Sequence, residues 1–154
     1  MDHLLEIAIN AAIAAGNEIM CHYDKPFEVN YKSDDSPLTI ADRSAHAVIA
    51  EALKITEIPL LSEEGKHNPF EERKLWKRLW IVDPLDGTKE LIKHNGEFTV
   101  NIALVEGNKP VLGVVYCPTL KTLYFGSIHL KKAFKLILKD NSASLGEMLQ
   151  RAAL

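Results

Sequence analysis

Apolar residues recur at helical spacing over residues 4–22. Leu5, Ala8, Ile9, Ala12, Ile13 and Ile19 share one face, which predicts an amphipathic helix with Gly16 as a weak point in its middle. Residues 27–32 alternate apolar and polar, the period of a half-buried strand, and a turn-forming cluster follows at 33–37. A second helix is predicted over 38–55, with Ala41, Ala45, Val48, Ile49, Ala52 and Leu53 on one side. Short apolar runs at 58–61 and 79–82 predict strands, separated by a charged segment, 66–77, read as an exposed loop leading into a short helix or an extended stretch. Pro84 has no N–H for a ladder, so the second of these strands is expected to end there. A helix is expected to begin within 89–93, and His94-Asn95-Gly96 reads as a turn. Strands are then expected at 98–105, 111–117, 122–125 and 133–138, with turns at Gly107-Asn108 and Pro118-Thr119. Residues 141–154 pattern as a terminal helix. The expected fold is α+β, one domain over 1–154: N-terminal helices packed on an antiparallel sheet.

Composition narrows the function. With 154 residues and 47% hydrophobic side chains the chain can bury a core, and a net charge of −3 gives no basic footprint for nucleic acid. An anionic substrate therefore needs a local positive source, which a metal ion supplies. Cys21 and Cys117 lie far apart without metal-ligand spacing and read as reduced thiols. The N-terminus lacks the basic region of a signal peptide, and no run reads as long enough to span a membrane. The expectation is a cytoplasmic protein, with peripheral attachment at the inner membrane as the variant.

The candidate chemistry sits where apolar runs end in acids. The 79–82 run delivers Asp83 and Asp86 into a turn with Gly87 and Thr88. Hard oxygen ligands beside free backbone N–H groups suit a divalent cation bridging to phosphate; the plainer reading is a turn whose aspartates cap the next helix. The 58–61 run ends in Ser62-Glu63-Glu64, adjacent carboxylates that repel unless solvated or held by a cation. If the two strands are neighbours, their ends converge on one acidic cluster. Thr39-Ile40-Ala41-Asp42 has the form of a capping box, so Asp42 reads as a helix cap or as a base or orienter beside the metal site. Asp34 and Asp35 read as solvated turn residues or contacts to an additional cation.

Asp83-Pro84-Leu85-Asp86-Gly87-Thr88, with Glu63-Glu64 upstream, resembles the metal-dependent, lithium-sensitive phosphatases that include inositol monophosphatase. Ser36-Pro37-Leu38-Thr39-Ile40-Ala41-Asp42, Leu61-Ser62-Glu63-Glu64, Gly87-Thr88-Lys89-Glu90-Leu91 and Asn95-Gly96-Glu97-Phe98-Thr99-Val100-Asn101-Ile102-Ala103-Leu104 are similar to the bacterial 3′(2′),5′-bisphosphate nucleotidases of that family, from the first helix to about Phe125. The resemblance implies half of a layered α/β/α/β/α fold. It also implies a cofactor of two or more Mg2+ ions, with Glu63, Asp83, Asp86 and the Leu85 carbonyl as ligands and Glu64 behind them. Asp42 and Thr88 would be the catalytic pair that deprotonates water, and Glu63, Leu85, Asp86, Gly87 and Thr88 would touch substrate. The implied reaction removes the 3′-phosphate of 3′-phosphoadenosine 5′-phosphate, giving AMP and phosphate, in sulfur assimilation or nucleotide recycling.

The family continues past this length into an α/β half that supplies one more metal-binding Asp, in a Trp-Asp-x-Ala-type motif, and the nucleoside pocket. Nothing in residues 141–154 matches it, so the chain is expected to correspond to the N-terminal half. Three alternatives stay open: an inositol-phosphate or sugar-bisphosphate phosphatase of the same family, an inactive binding or assembly module that self-associates through an uncovered apolar face, and a haloacid-dehalogenase-type phosphatase. The last resembles Asp-x-Asp-Gly-Thr, whereas Asp83 and Asp86 stand three apart, a spacing that disfavours it.

Overall fold

The computed structural model describes residues 2–23, 25, 29–31, 37–66 and 68–138. The turn cluster with Asp34 and Asp35, and the expected terminal helix, lie outside them.

The first apolar stripe forms α1, Asp2–Tyr23, which buries Leu5, Ala8, Ile9, Ala12, Ile13 and Ile19 as its spacing requires. At Gly16 this helix lies close against Tyr116 of the sheet and Pro118 beyond it. A Cβ there would stand 2.6 Å from Tyr116 Cδ1 and 3.0 Å from Pro118 Cγ. The stretch His3–Tyr23 is, by length and composition, apolar enough to cross a membrane, with a mean hydropathy of 1.4, contrary to the sequence expectation. Here it is a core helix, packed on α2 (Ile40–Lys54) and on the sheet.

The second helix starts later than its periodicity suggests. Pro37–Thr39 is a short strand, β2, paired antiparallel with β1, Val29–Tyr31. Thr39 is held extended as the N-cap, with φ −114° and ψ 171°, so helical backbone begins at Ile40.

The remaining strands build one six-stranded sheet in chain order: β3 (Leu60–Ser62), β4 (Arg78–Asp86), β5 (Thr99–Glu106), β6 (Lys109–Cys117), β7 (Thr122–Ser127) and β8 (Lys132–Ile137). From β4 to β8 it is the expected antiparallel meander. β3 pairs parallel to β4, which makes the sheet mixed. Between them lies α3, Phe70–Arg73, and α4, Thr88–Ile92, follows β4.

Pro84 does not end its strand. β4 continues to Asp86 through an irregularity in which the register with β5 shifts between Asp83 and Asp86. A bulge leaves its extra residues out of the ladder, so the missing N–H of Pro84 costs no bond there.

One face of the sheet packs under the two long helices. Val82, Ile102, Val114 and Phe125 form one buried row across it, and Val100, Tyr116, Leu123 and Leu136 another. Trp80, fully buried, donates from Nε1 to Thr56 Oγ1 at 3.0 Å and ties the end of α2 to β4. On the opposite face Asp83, Asn101, Val115, Tyr124 and Lys135 align in one row, and Ile81, Ala103, Gly113, Gly126 and Ala133 in the next.

Candidate functional site

The parallel pairing of β3 with β4 creates the site. Leu60 lies opposite Trp80 and Ser62 opposite Val82, so both strands end at one edge. The first residue beyond β3, Glu63, donates its N–H to the Val82 carbonyl at 3.1 Å. That bond sets Glu63 beside Asp83, the convergence anticipated from the acidic strand ends.

Asp83 shows the electrostatic consequence. Its pKa is raised from 3.8 to about 7, first by burial, then by the negative charges of Glu63 and Asp86, and last by a hydrogen bond with the Glu63 carboxyl. The Leu85 N–H, which donates to Asp83 Oδ1 at 3.2 Å, pulls the other way and does not compensate. Asp86, on the far side of the bulge, is exposed and accepts from Asn101 Nδ2 at 3.2 Å. Glu63, Asp83, Asp86 and the Leu85 carbonyl are all hard oxygen donors, a set suited to Mg2+. The repulsion among Glu63, Asp83 and Asp86 is what a cation would relieve, so these residues fit the ion. Among the described residues no three His, Cys, Asp or Glu side chains stand close enough together to hold a metal ion as they are. The donors are gathered along one edge and coupled electrostatically.

The second component joins α2 to α4. Thr88 Oγ1 donates to Asp42 Oδ1 at 2.8 Å and lies 3.4 Å from the Leu85 carbonyl oxygen. Asp42 Oδ2 accepts from Thr39 N at 2.7 Å and from Thr39 Oγ1 at 2.6 Å. The Thr39 hydroxyl in turn accepts from the Ala41 N–H at 3.2 Å, which closes the capping box. Asp42 thus caps the helix through one carboxylate oxygen and accepts from the Thr88 hydroxyl through the other. Asp42 is 1% exposed, so its geometry is fixed by these donors rather than by water.

Gly87 connects the two components. Its φ of +106° is left-handed, and a Cβ would stand 2.8 Å from the Glu97 carbonyl oxygen. Only glycine lets the chain reverse from Asp86 into α4 with Thr88 turned toward Asp42.

Asn101 and His46 were not singled out as site residues from the sequence. Asn101 pairs with Asp83 across β4 and β5 and reaches Asp86 with its amide. His46 Nδ1 is hydrogen-bonded to Ser62 Oγ at 2.8 Å. Its signal was spacing: four residues after Asp42 it shares that face of α2. A cavity of about 1040 Å³ opens beside the acids over the outer sheet face, and Arg73, Tyr124 and Lys135 line it with Glu63, Asp83 and Asn101.

Comparison with known proteins bears on this geometry. The inositol monophosphatase family matches residues 1–144. The 3′(2′),5′-bisphosphate nucleotidase CysQ of Salmonella typhimurium is 56% identical over 128 residues, covering 80% of this chain and 52% of the relative. The crystal structure of CysQ from Bacteroides thetaiotaomicron superposes with a TM-score of 0.80 at 48% identity, covering 95% of this chain and 55% of that one. An IMPase/NADP phosphatase complexed with Mg2+ and phosphate aligns with a TM-score of 0.66 at 25% identity, covering 77% of this chain and 45% of that one. The chain thus spans about half the length of the curated relatives it matches.

Proposed function

Because the chain belongs to the inositol monophosphatase family, we propose that it carries the metal-binding and water-activating edge of a magnesium-dependent phosphomonoesterase. The substrate we assign is 3′-phosphoadenosine 5′-phosphate, hydrolysed at its 3′-phosphate to AMP and phosphate. The relatives named as bisphosphate nucleotidases support this substrate over inositol phosphates. The observation that carries the reading is the 2.8 Å bond from Thr88 to the buried Asp42, standing beside the Leu85 carbonyl and the acidic edge.

In this reading Glu63, Asp83, Asp86 and the Leu85 carbonyl hold two or more Mg2+ ions. The family member whose structure contains Mg2+ and phosphate supports a divalent ion here. Bound there, magnesium lowers the pKa of water and neutralises phosphate charge. The residues of the chain handle the proton. Thr88 donates a hydrogen bond to Asp42 and keeps its own proton at this stage, which leaves its oxygen lone pairs to accept from the attacking water. As that water oxygen bonds to phosphorus, its proton passes to Thr88 Oγ1 and the Thr88 proton passes to Asp42 Oδ1. The bond from phosphorus to the ribose 3′-oxygen breaks, and that oxygen takes a proton from solvent. Thr39 keeps Asp42 oriented throughout with two donors. Gly87 and the backbone from Leu85 to Thr88 face the phosphate, with Glu63 and Asp86.

The test is phosphate release from 3′-phosphoadenosine 5′-phosphate against inositol 1-phosphate, titrated with magnesium. Magnesium-dependent release with the nucleotide preferred supports the reading, and preference for inositol phosphate transfers it to the sister activity.

A second reading concerns assembly. Ile81, Val115 and Tyr124 are 44%, 38% and 40% exposed on the outer face of the sheet. An apolar face of this kind favours self-association. Mass in solution tests it: a dimer or larger species that dissociates when Ile81 and Val115 are made polar supports the reading, and a monomer at all concentrations removes it.

A further inference from the structure

We propose that His46 is a positioning residue for the metal site: its bond to Ser62 ties the turn carrying Glu63 to the helix carrying Asp42. The inference rests on the metal-dependent reading above and adds to it a residue that touches neither metal nor substrate.

The helix repeat sets the first link. Asp42 and His46 are four residues apart on α2 and so stand one above the other on one face. Asp42 reaches Thr88, and His46 reaches Ser62 at 2.8 Å. Ser62 is the last residue of β3 and Glu63 follows it directly.

The turn itself is held at each end. The Glu63 N–H is bonded to Val82 of β4, and the Gly65 N–H to the Ser62 carbonyl, both at 3.1 Å. The His46 ring packs against the same turn: a Cβ on Gly65 would stand 3.4 Å from His46 Cε1 and 3.3 Å from Ser62 Cβ. Backbone bonds thus fix the turn to the sheet, and the bond from His46 to Ser62 fixes it to α2.

A histidine and a serine at hydrogen-bond distance also suggest a nucleophilic pair. Burial argues against that: Ser62 is 2% exposed, so no substrate phosphorus can approach its oxygen. A purely structural role is the other competitor. α2 is already anchored by Ala41, Ala45, Ile49 and Leu53 in the core and, just beyond its end, by the Trp80–Thr56 bond. Loss of one partly buried hydrogen bond should therefore loosen the Glu63 turn before it loosens the fold.

The experiment measures Mn2+ binding to this chain by electron paramagnetic resonance, beside its thermal melting, in wild type, His46→Leu, His46→Asn, Ser62→Ala and the His46→Leu/Ser62→Ala double variant. Asn places an amide near the position of Nδ1 and is the conservative replacement. His46→Leu and Ser62→Ala should each weaken Mn2+ binding about 10- to 100-fold, the usual consequence of removing an outer-shell partner. The double variant should lose little more than either single one, because both break the same link. His46→Asn should recover most of the affinity. Equal Mn2+ affinity in wild type and Ser62→Ala overturns the proposal, as does a loss that Asn fails to restore and that follows the melting temperature. Failure of the wild type to bind Mn2+ overturns the metal-dependent reading and this one with it. Should His46→Leu not fold, Ser62→Ala and His46→Asn decide the matter alone.

Discussion

Ser62 lies opposite Val82 in the one parallel strand pair of the described sheet, and that register brings Glu63 to Asp83 from a position twenty residues away in the chain. The approach of Glu63 to Asp83 depends on it. A slip of one residue would turn Glu63 to the other face and leave Asp83 without its neighbour.

The double duty of Asp42 can be separated by one substitution. Asn caps a helix about as well as Asp, so Asp42→Asn should shift the melting temperature little. The same change removes the carboxylate that takes the Thr88 proton. Phosphate release should fall by about 10²–10⁴-fold, the usual contribution of a positioned acid–base group. Unchanged release with unchanged folding would reduce Asp42 to a cap.

Asp83 predicts a pH dependence whose sign follows from its raised pKa. Its value is about 7 in the folded chain against an ordinary 3.8. Between those values the folded state keeps a proton that the unfolded state has released. The contribution of Asp83 to stability is therefore full below about pH 4 and declines until pH passes 7. Without magnesium, melting temperature should fall over that window relative to Asp83→Asn, which has no titrating group there. Because the proton competes with the cation, magnesium affinity should rise over the same window and level off above it. A flat difference between wild type and Asp83→Asn would contradict the electrostatic account of the acidic edge.

Gly16→Ala tests the packing that supports the site. Ala gains about 1 kcal/mol over Gly in a helix interior, while overpacking a filled core costs about 1–3 kcal/mol. Tyr116 is 2% exposed and has no room to retreat, so the clash should prevail. The urea midpoint should drop, and Mn2+ affinity measured well below that midpoint should stay the same. A higher midpoint would mean that α1 sits further from β6 than described.

Much of this was legible because the signals are local. The stripe from Leu5 to Ile19 needs no partner to be read as a helix, and the alternation after Phe98 fixes strands whose tight turns leave few other pairings. The acidic motif from Asp83 to Thr88 was legible for the same reason, as was the capping box at Thr39 and Asp42. Pro84 misled because its missing donor matters only if the ladder is regular, and the bulge between Asp83 and Asp86 is a property of the β4–β5 pairing. Asn101 and His46 went unread because their partners are set by tertiary register. Asn101 meets Asp86 across two strands, and His46 meets Ser62 only once β3 has docked beside β4. The link from Thr88 to Asp42 spans 46 residues and rests on the packing of α2 against β4.

The central claim is that the Glu63–Asp83–Asp86 edge and the Asp42–Thr88 pair together perform magnesium-dependent phosphate hydrolysis. Since the chain spans about half of its relatives, the most direct measurement is phosphate release from 3′-phosphoadenosine 5′-phosphate by the chain extended with the second half of the Salmonella relative, titrated with magnesium, in wild type and Asp86→Asn. The account predicts release that requires magnesium and falls by about 10²–10³-fold or more in Asp86→Asn, as for loss of one preorganised electrostatic group. Release that persists in a chelator, or is unaffected in Asp86→Asn, would contradict it.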